Sequence, residues 1–148
     1  MSDYEADDNS GEEYAAQWQE FFDDLINEAN GVFNNCELIN KETGLAFCST
    51  EKRGSEEEID FCYNLVMNSN KEGPPSVMYM GKKFIFLRKI EEGDDKTPSF
   101  LFMRAETNEE NAIEGCVCKC AFDEFLFIAT FNKSKMSEAL RIVAKALE

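Results

Sequence analysis

Cys116, Cys118 and Cys120 follow one another at a spacing of two, and clustered thiolates invite a metal. The spacing argues otherwise. On a strand it places all three on one face in a row, about 6–7 Å apart, whereas a tetrahedral centre needs its sulfurs about 2.3 Å from one ion. The chain has no histidine to complete such a set, and cysteine serves well as a small apolar core residue. No metal or other cofactor is therefore expected. Acid pairs such as Asp23-Asp24 and Asp94-Asp95 matter for catalysis only when burial drives their pKa values apart, and these fall on expected helix surfaces or loops. Without histidine or a Gly-x-Ser-x-Gly turn, the usual nucleophile–base pair is missing. Gly81-Lys82-Lys83 lacks the flanking glycines of a phosphate loop. The expectation is a binding protein and not an enzyme.

The elements that position these residues are written in the apolar pattern. Tyr14, Trp18, Phe21, Phe22, Leu25, Ile26 and Ala29 recur at steps of three and four, the stripe of an amphipathic helix. Asn30-Gly31 supplies its stop. Before it, Met1–Gly11 is acidic and small and reads as a disordered extension, in the simplest case an inert tail, leaving 12–148 as one domain. Cys36–Asn40 and Leu45–Thr50 flank a Gly-containing turn and predict a hairpin. Ser55-Glu56-Glu57-Glu58 is a capping-box pattern; it opens a helix on which Ile59, Cys62, Leu65 and Val66 share a face, and Asn68–Pro75 ends it. From Ser76 the pattern is β: Val77–Met80, Lys83–Ile90, Phe100–Glu106, Gly115–Cys120 and Phe125–Thr130, with breaks such as Glu91–Thr97. These connections are too short for crossover helices, so the sheet should be largely antiparallel. Lys133–Leu147 closes the chain as a helix with Met136, Leu140, Val143 and Leu147 on one face. The expected class is α+β: a mostly antiparallel sheet of about six or seven strands, the two terminal helices on one face and a short helix on the other.

At 148 residues, 43% of them hydrophobic and 13 of them Phe, the chain fits one domain with a real core. Thirty acidic residues against 15 basic ones leave a net charge of −15. That balance excludes nucleic acid as a non-specific partner, because phosphate neutralisation needs clustered Lys and Arg. No apolar run approaches the ~20 residues of a membrane span, and the acidic opening Met1-Ser2-Asp3-Tyr4-Glu5 lacks the order of a signal peptide. A cytoplasmic protein with six reduced cysteines is expected.

The same order of elements, from Tyr14 to Leu147, resembles the profilin family. Trp18-Gln19-Glu20-Phe21-Phe22-Asp23-Asp24-Leu25 is similar to its opening helix, Gly81-Lys82-Lys83-Phe84-Ile85-Phe86-Leu87-Arg88 to its central Gly-x-Lys strand ending in Arg, and Gly115–Thr130 to its last hairpin. In that hairpin Val117-Cys118-Lys119-Cys120-Ala121 stands where profilins often have Thr-Lys-Thr. The resemblance implies a monomeric, cytoskeleton-associated protein that binds monomeric actin, proline-rich segments and phosphoinositide headgroups. The family's actin face maps to Lys83, Ile85, Phe86, Arg88, Arg104, Asn132 and Lys133. It pictures Lys83 to Arg88 as an outward ridge with the terminal helices behind the sheet. The polyproline groove maps to Trp18, Phe21 and, one step from the usual Trp, Phe47. That groove is depleted of aromatics, since the final helix contributes none, so weak or altered proline binding is expected. Phosphoinositide contact would fall to Lys82, Lys83, Arg88 and Lys89, with Lys119 close by if the strands pair as expected. The rival readings are a phosphoinositide regulator without an actin role and a longin- or roadblock-like adaptor. For each residue the plain alternative is a solvated cation or a core aromatic.

Overall fold

The computed structural model describes residues 2–50, 53–67, 76–90, 99–104 and 113–147, the side chains of residues 1–11 and Met67 excepted. The expected order of elements appears in full: helix α1 (Ser2–Ala29), strands β1 (Phe33–Ile39) and β2 (Ala46–Cys48), helix α2 (Glu56–Met67), strands β3 (Ser76–Tyr79), β4 (Lys82–Ile90), β5 (Ser99–Arg104), β6 (Glu114–Ala121) and β7 (Phe125–Asn132), and, after a 3-10 turn at Lys133–Lys135, helix α3 (Met136–Ala146). The helical backbone of α1 reaches back to Ser2, through the acidic stretch that composition reads as a disordered extension. Glu91–Thr97, Asn68–Pro75, Asp94-Asp95 and the last two residues of the expected strand Phe100–Glu106 lie outside the described residues.

The seven strands form one sheet in the order β2-β1-β7-β6-β5-β4-β3, every neighbouring pair antiparallel. Alternation along each strand divides it into two faces. Phe125, Phe127, Ala129 and Phe131 of β7 and Val117 of β6 pack with Phe22, Leu25 and Ala29 of α1 and Ala139 and Val143 of α3. Leu126, Ile128, Cys116, Cys118 and Cys120 face Ile59, Cys62 and Val66 of α2. The three strand cysteines thus form the expected row, all buried. On α3 the buried stripe centres on Ala139 and Val143, with Met136 and Leu140 only partly buried.

Two carboxylates fasten the structure on the α2 side. The capping box forms: Ser55 N–H donates to Glu58 Oε1 (2.9 Å), and Glu58 N–H to Ser55 Oγ (3.2 Å). Glu58 also accepts the amides of Met80 (2.9 Å) and Gly81 (3.0 Å). Those two residues make the β3–β4 turn with φ of 53° and 76°, the pair of positive φ values of a type I′ hairpin. Glu58 therefore ties the start of α2 to the hairpin that carries β4. The second carboxylate, Glu37 of β1, is 1% exposed. It accepts a hydrogen bond from the Tyr79 hydroxyl and another from Gly54 N–H (3.1 Å), while Asn35 Nδ2 donates to Tyr79 Oη (2.8 Å). β1 and β3 stand five inter-strand spacings apart, about 24 Å in a flat sheet. A tyrosine spans that gap only if the sheet curls strongly, with α2 in its concavity.

Burial pushes the Glu37 carboxyl above the ordinary value, although the Tyr79 hydroxyl, the Gly54 amide and Arg53 favour its charge. Burial would raise Glu58 as well, but the amides of Ser55, Gly81 and Met80 outweigh it and hold that carboxyl low. The signs are opposite. Native Glu37 binds its proton more tightly than the unfolded chain does, so its contribution is full below about pH 4.3 and is lost as pH rises through the native value. The Glu58 contribution is present above that pH and is lost as pH falls through its lowered native value. Urea unfolding across pH should show the decline on the alkaline side flattened in Glu37→Gln; an unchanged slope would refute the assignment. Glu58→Ala should cost about 2 kcal/mol at neutral pH, the range for stranding hydrogen-bonded amides and losing a charged acceptor.

Candidate protein-docking surface

Lys83 and Arg88 are five positions apart, and in a regular strand an odd separation puts two side chains on opposite faces. Here they share one. Phe86 pairs with Phe102 and Arg88 with Leu101, leaving Leu87 as the extra residue of a β-bulge. The bulge shifts the alternation by one. Lys83, Ile85, Leu87 and Arg88 consequently emerge on the same side of the sheet as Leu101, whose side chain faces the terminal helices. Met78 stands opposite Lys83 on β3, and Met103 opposite Ile85 on β5. Met78, Ile85 and Leu87 are 46%, 47% and 53% exposed, three of the four exposed large hydrophobics among the described residues.

The terminal helices do not sit behind this ridge, as the resemblance pictures them. They lie on the same side, over β1 and β7, and leave the β3–β4 end of that face bare. The seam is close-packed. The row Ile85–Met103–Gly115–Phe131 runs from the open surface into the core. A β-carbon on Gly115 would come within 2.5 Å of the Phe131 ring and 3.2 Å of Met103 Sδ. At the same end of the sheet Lys133 N–H donates to Ile113 O (2.8 Å), so the exposed Lys133 and the 3-10 turn before α3 lie at the same end as the patch, three strands from β4.

The other residues mapped to this surface fall elsewhere. Phe86 is half-buried on the α2 face, its ring 5.4 Å from that of Phe102. Arg104, opposite Phe84, lies on that face too. With Lys82 and Asn132 it joins a polar cluster around Glu114: Lys82 Nζ at 2.8 Å and Arg104 Nη1 at 3.7 Å from Oε1, while Asn34 Nδ2 reaches Glu114 Oε2 (3.1 Å) and Asn132 Oδ1 (3.4 Å). The basic run is split in the same way. Lys83 and Arg88 point to the helix side, whereas Lys82 and Lys89 point to the α2 side. Lys119, expected near them on the surface, is 2% exposed. It shares its face with Val117 and Ala121 in the helix-covered layer.

At the opposite end of the sheet Trp18 is half-buried among aromatics. Its ring lies 4.5 Å from Phe125, 5.3 Å from Phe122, 5.5 Å from Phe21 and 6.1 Å from Tyr14. Phe122 sits in the β6–β7 turn at φ 56°, a position no helical or strand pattern would select. Tyr14 Oη donates to Glu124 Oε2 (2.5 Å); that carboxylate, then burial, pushes the phenol above its ordinary value. Phe47 does not join them. It is buried and stacked on Phe22, centroids 6.0 Å apart. Trp18 is the sole tryptophan, so its emission reports on this cluster. Phe122→Ala should shift the emission to the red and leave the unfolding free energy from urea titration within about 1 kcal/mol of wild type, as expected at a half-exposed turn. An unshifted spectrum would mean that Phe122 does not shield the indole.

No protein-family model matches the chain, and no curated protein is significantly similar in sequence. Solved structures match it in fold. A chain of the crystal structure of the LokiProfilin1/rabbit actin complex superposes with a TM-score of 0.59 at 16% identity, covering 88% of this chain and 93% of that one. The crystal structure of LokiProfilin1 gives a TM-score of 0.55 at 18% identity, with 79% and 81% covered. At such identities the likeness is one of fold, and the fold of this chain is profilin-like.

Proposed function

We propose that the chain is a cytoplasmic, monomeric binder of actin monomers that acts through the bare β3–β4 end of its helix-covered face. The observation that carries this reading is the convergence of Lys83, Ile85, Leu87 and Arg88 on one exposed surface of the helix-covered face. An apolar centre with flanking cations is the make-up of a protein-binding patch: aliphatic side chains supply buried area, and cations steer onto a partner's carboxylates. The fold likeness to a profilin crystallised with actin supports the same partner. Ile85, Lys83, Arg88 and Lys133 form the binding group in this reading; Phe86, Arg104 and Asn132 support it from the other face. Calorimetric titration with monomeric actin should give a binding isotherm, and Lys83→Glu and Arg88→Glu should each weaken it about tenfold or more, or about 1.4 kcal/mol. The absence of heat with the wild-type chain would overturn the proposal.

A second reading concerns the aromatic end. Tyr14, Trp18, Phe21 and Phe122 form a half-exposed platform, and rings of this kind pack on the flat faces of a polyproline helix. Weak binding of proline-rich peptides through Trp18 and Phe21 follows. The Tyr14 hydroxyl is engaged by Glu124 and would have to leave it to serve a ligand. Phosphoinositide binding has less support, because Lys82 and Lys89 face away from Lys83 and Arg88 and Lys119 is buried. A phosphoinositide headgroup would then meet two of these cations on any one face.

A further inference from the structure

The bulge in β4 has no structural use that either core reveals. Leu87 belongs to neither buried cluster, and it is the most exposed large hydrophobic among the described residues. Removing it would restore a regular strand without moving any neighbour to another face. Phe86 would still oppose Phe102, Arg88 would still oppose Leu101, and Lys89 and Ile90 would keep their partners Phe100 and Ser99. A bulge interrupts the ladder and leaves a residue unpaired. Here the inserted residue is a bare leucine between Ile85 and Arg88, on a chain whose net charge is −15.

We propose that Leu87 is the central anchor of the docking surface, held out by the bulge to fill an apolar socket whose rim is acidic. The proposal rests on the reading of this face as the actin-monomer site and names the residue that decides affinity there. Three features support it. Leu87 shares its exposed face with Met78 and Ile85. Lys83 and Arg88 lie along β4 on either side of Ile85 and Leu87, both exposed and on the same face, so a matching partner offers carboxylates around an apolar centre. A leucine side chain loses less freedom on docking than a methionine or lysine in the same place would.

The test titrates monomeric actin into the wild-type chain, the Leu87→Ser variant and a chain with Leu87 deleted, with urea unfolding of each. Phe61→Ser serves as control, because Phe61 is 46% exposed on α2, away from the patch. Leu87→Ser should weaken binding at least tenfold with an unfolding midpoint close to wild type, and the deletion should do the same if it folds; should it fail to fold, Leu87→Ser alone decides. Phe61→Ser should bind as wild type does. Wild-type binding with full affinity retained in Leu87→Ser overturns the anchor and leaves the actin reading standing. An equal loss in Phe61→Ser overturns it as well, since the effect would then be general stickiness. No wild-type binding overturns the reading and the anchor together. A concentration-dependent dimer that Leu87→Ser abolishes, seen by light scattering, would assign the patch to a second copy and overturn the proposal.

Discussion

A tyrosine on one edge strand holds a carboxylate near the other edge, and the shape of the molecule follows from that contact. Tyr79 and Glu37 meet only because the sheet is rolled. The rolled sheet encloses α2, its cysteines and its phenylalanines on the concave side and makes the other side convex. Two helices of about 10 Å diameter cover roughly 20 Å, whereas seven strands span about 29 Å even when flat. Two helices over β1 and β7 therefore leave strands uncovered, and those are β3 and β4. The exposed patch is a consequence of geometry before it is a matter of sequence. Composition then decides its character: methionine, isoleucine and leucine where a merely solvated strand would carry polar side chains.

The electrostatics follow the same logic. Lys83 and Arg88 share an exposed face of an otherwise acidic chain, and the field around them falls off within about 10 Å at ordinary ionic strength. Such a pair guides the final approach of a partner more than distant capture. Lys82 and Arg104, on the concave side, are instead engaged by Glu114. They stiffen the end of the sheet from which β4 starts. Within one short strand, alternation gives neighbouring cations different tasks.

Local signals in the sequence were translated faithfully. The capping box of Ser55 and Glu58, the stripe of α1, the β strands and the cysteine row all appear as periodicity and propensity suggest, because each rests on neighbours within a few positions. The features that were not legible depend on distant partners or on counting by one. Glu37 looks like any strand glutamate until Tyr79, 42 positions away, closes over it. Lys119 reads as a surface cation, yet its parity with Val117 places it in the helix-covered layer. Phe47 lies close to the position of a groove aromatic, but it stacks on Phe22. The grouping of Lys83 with Arg88 depends on a bulge that no residue type announces, since Leu87 is neither glycine nor proline. Phe122 was hidden for a related reason: a left-handed turn position has no periodicity to betray it.

The aromatic platform and the β4 patch occupy opposite ends of the sheet, one at the β6–β7 turn and the other near the β3–β4 turn. A strand of eight residues such as β6 is about 26 Å long. Ligands seated at both places would not collide, and each would leave the other's approach open. A flexible tether joining two such ligands would hold the second at an effective concentration in the millimolar range once the first is bound. Weak contacts at either end would then suffice, and the rolled sheet between them would act as a spacer that fixes how far apart two cargoes are kept.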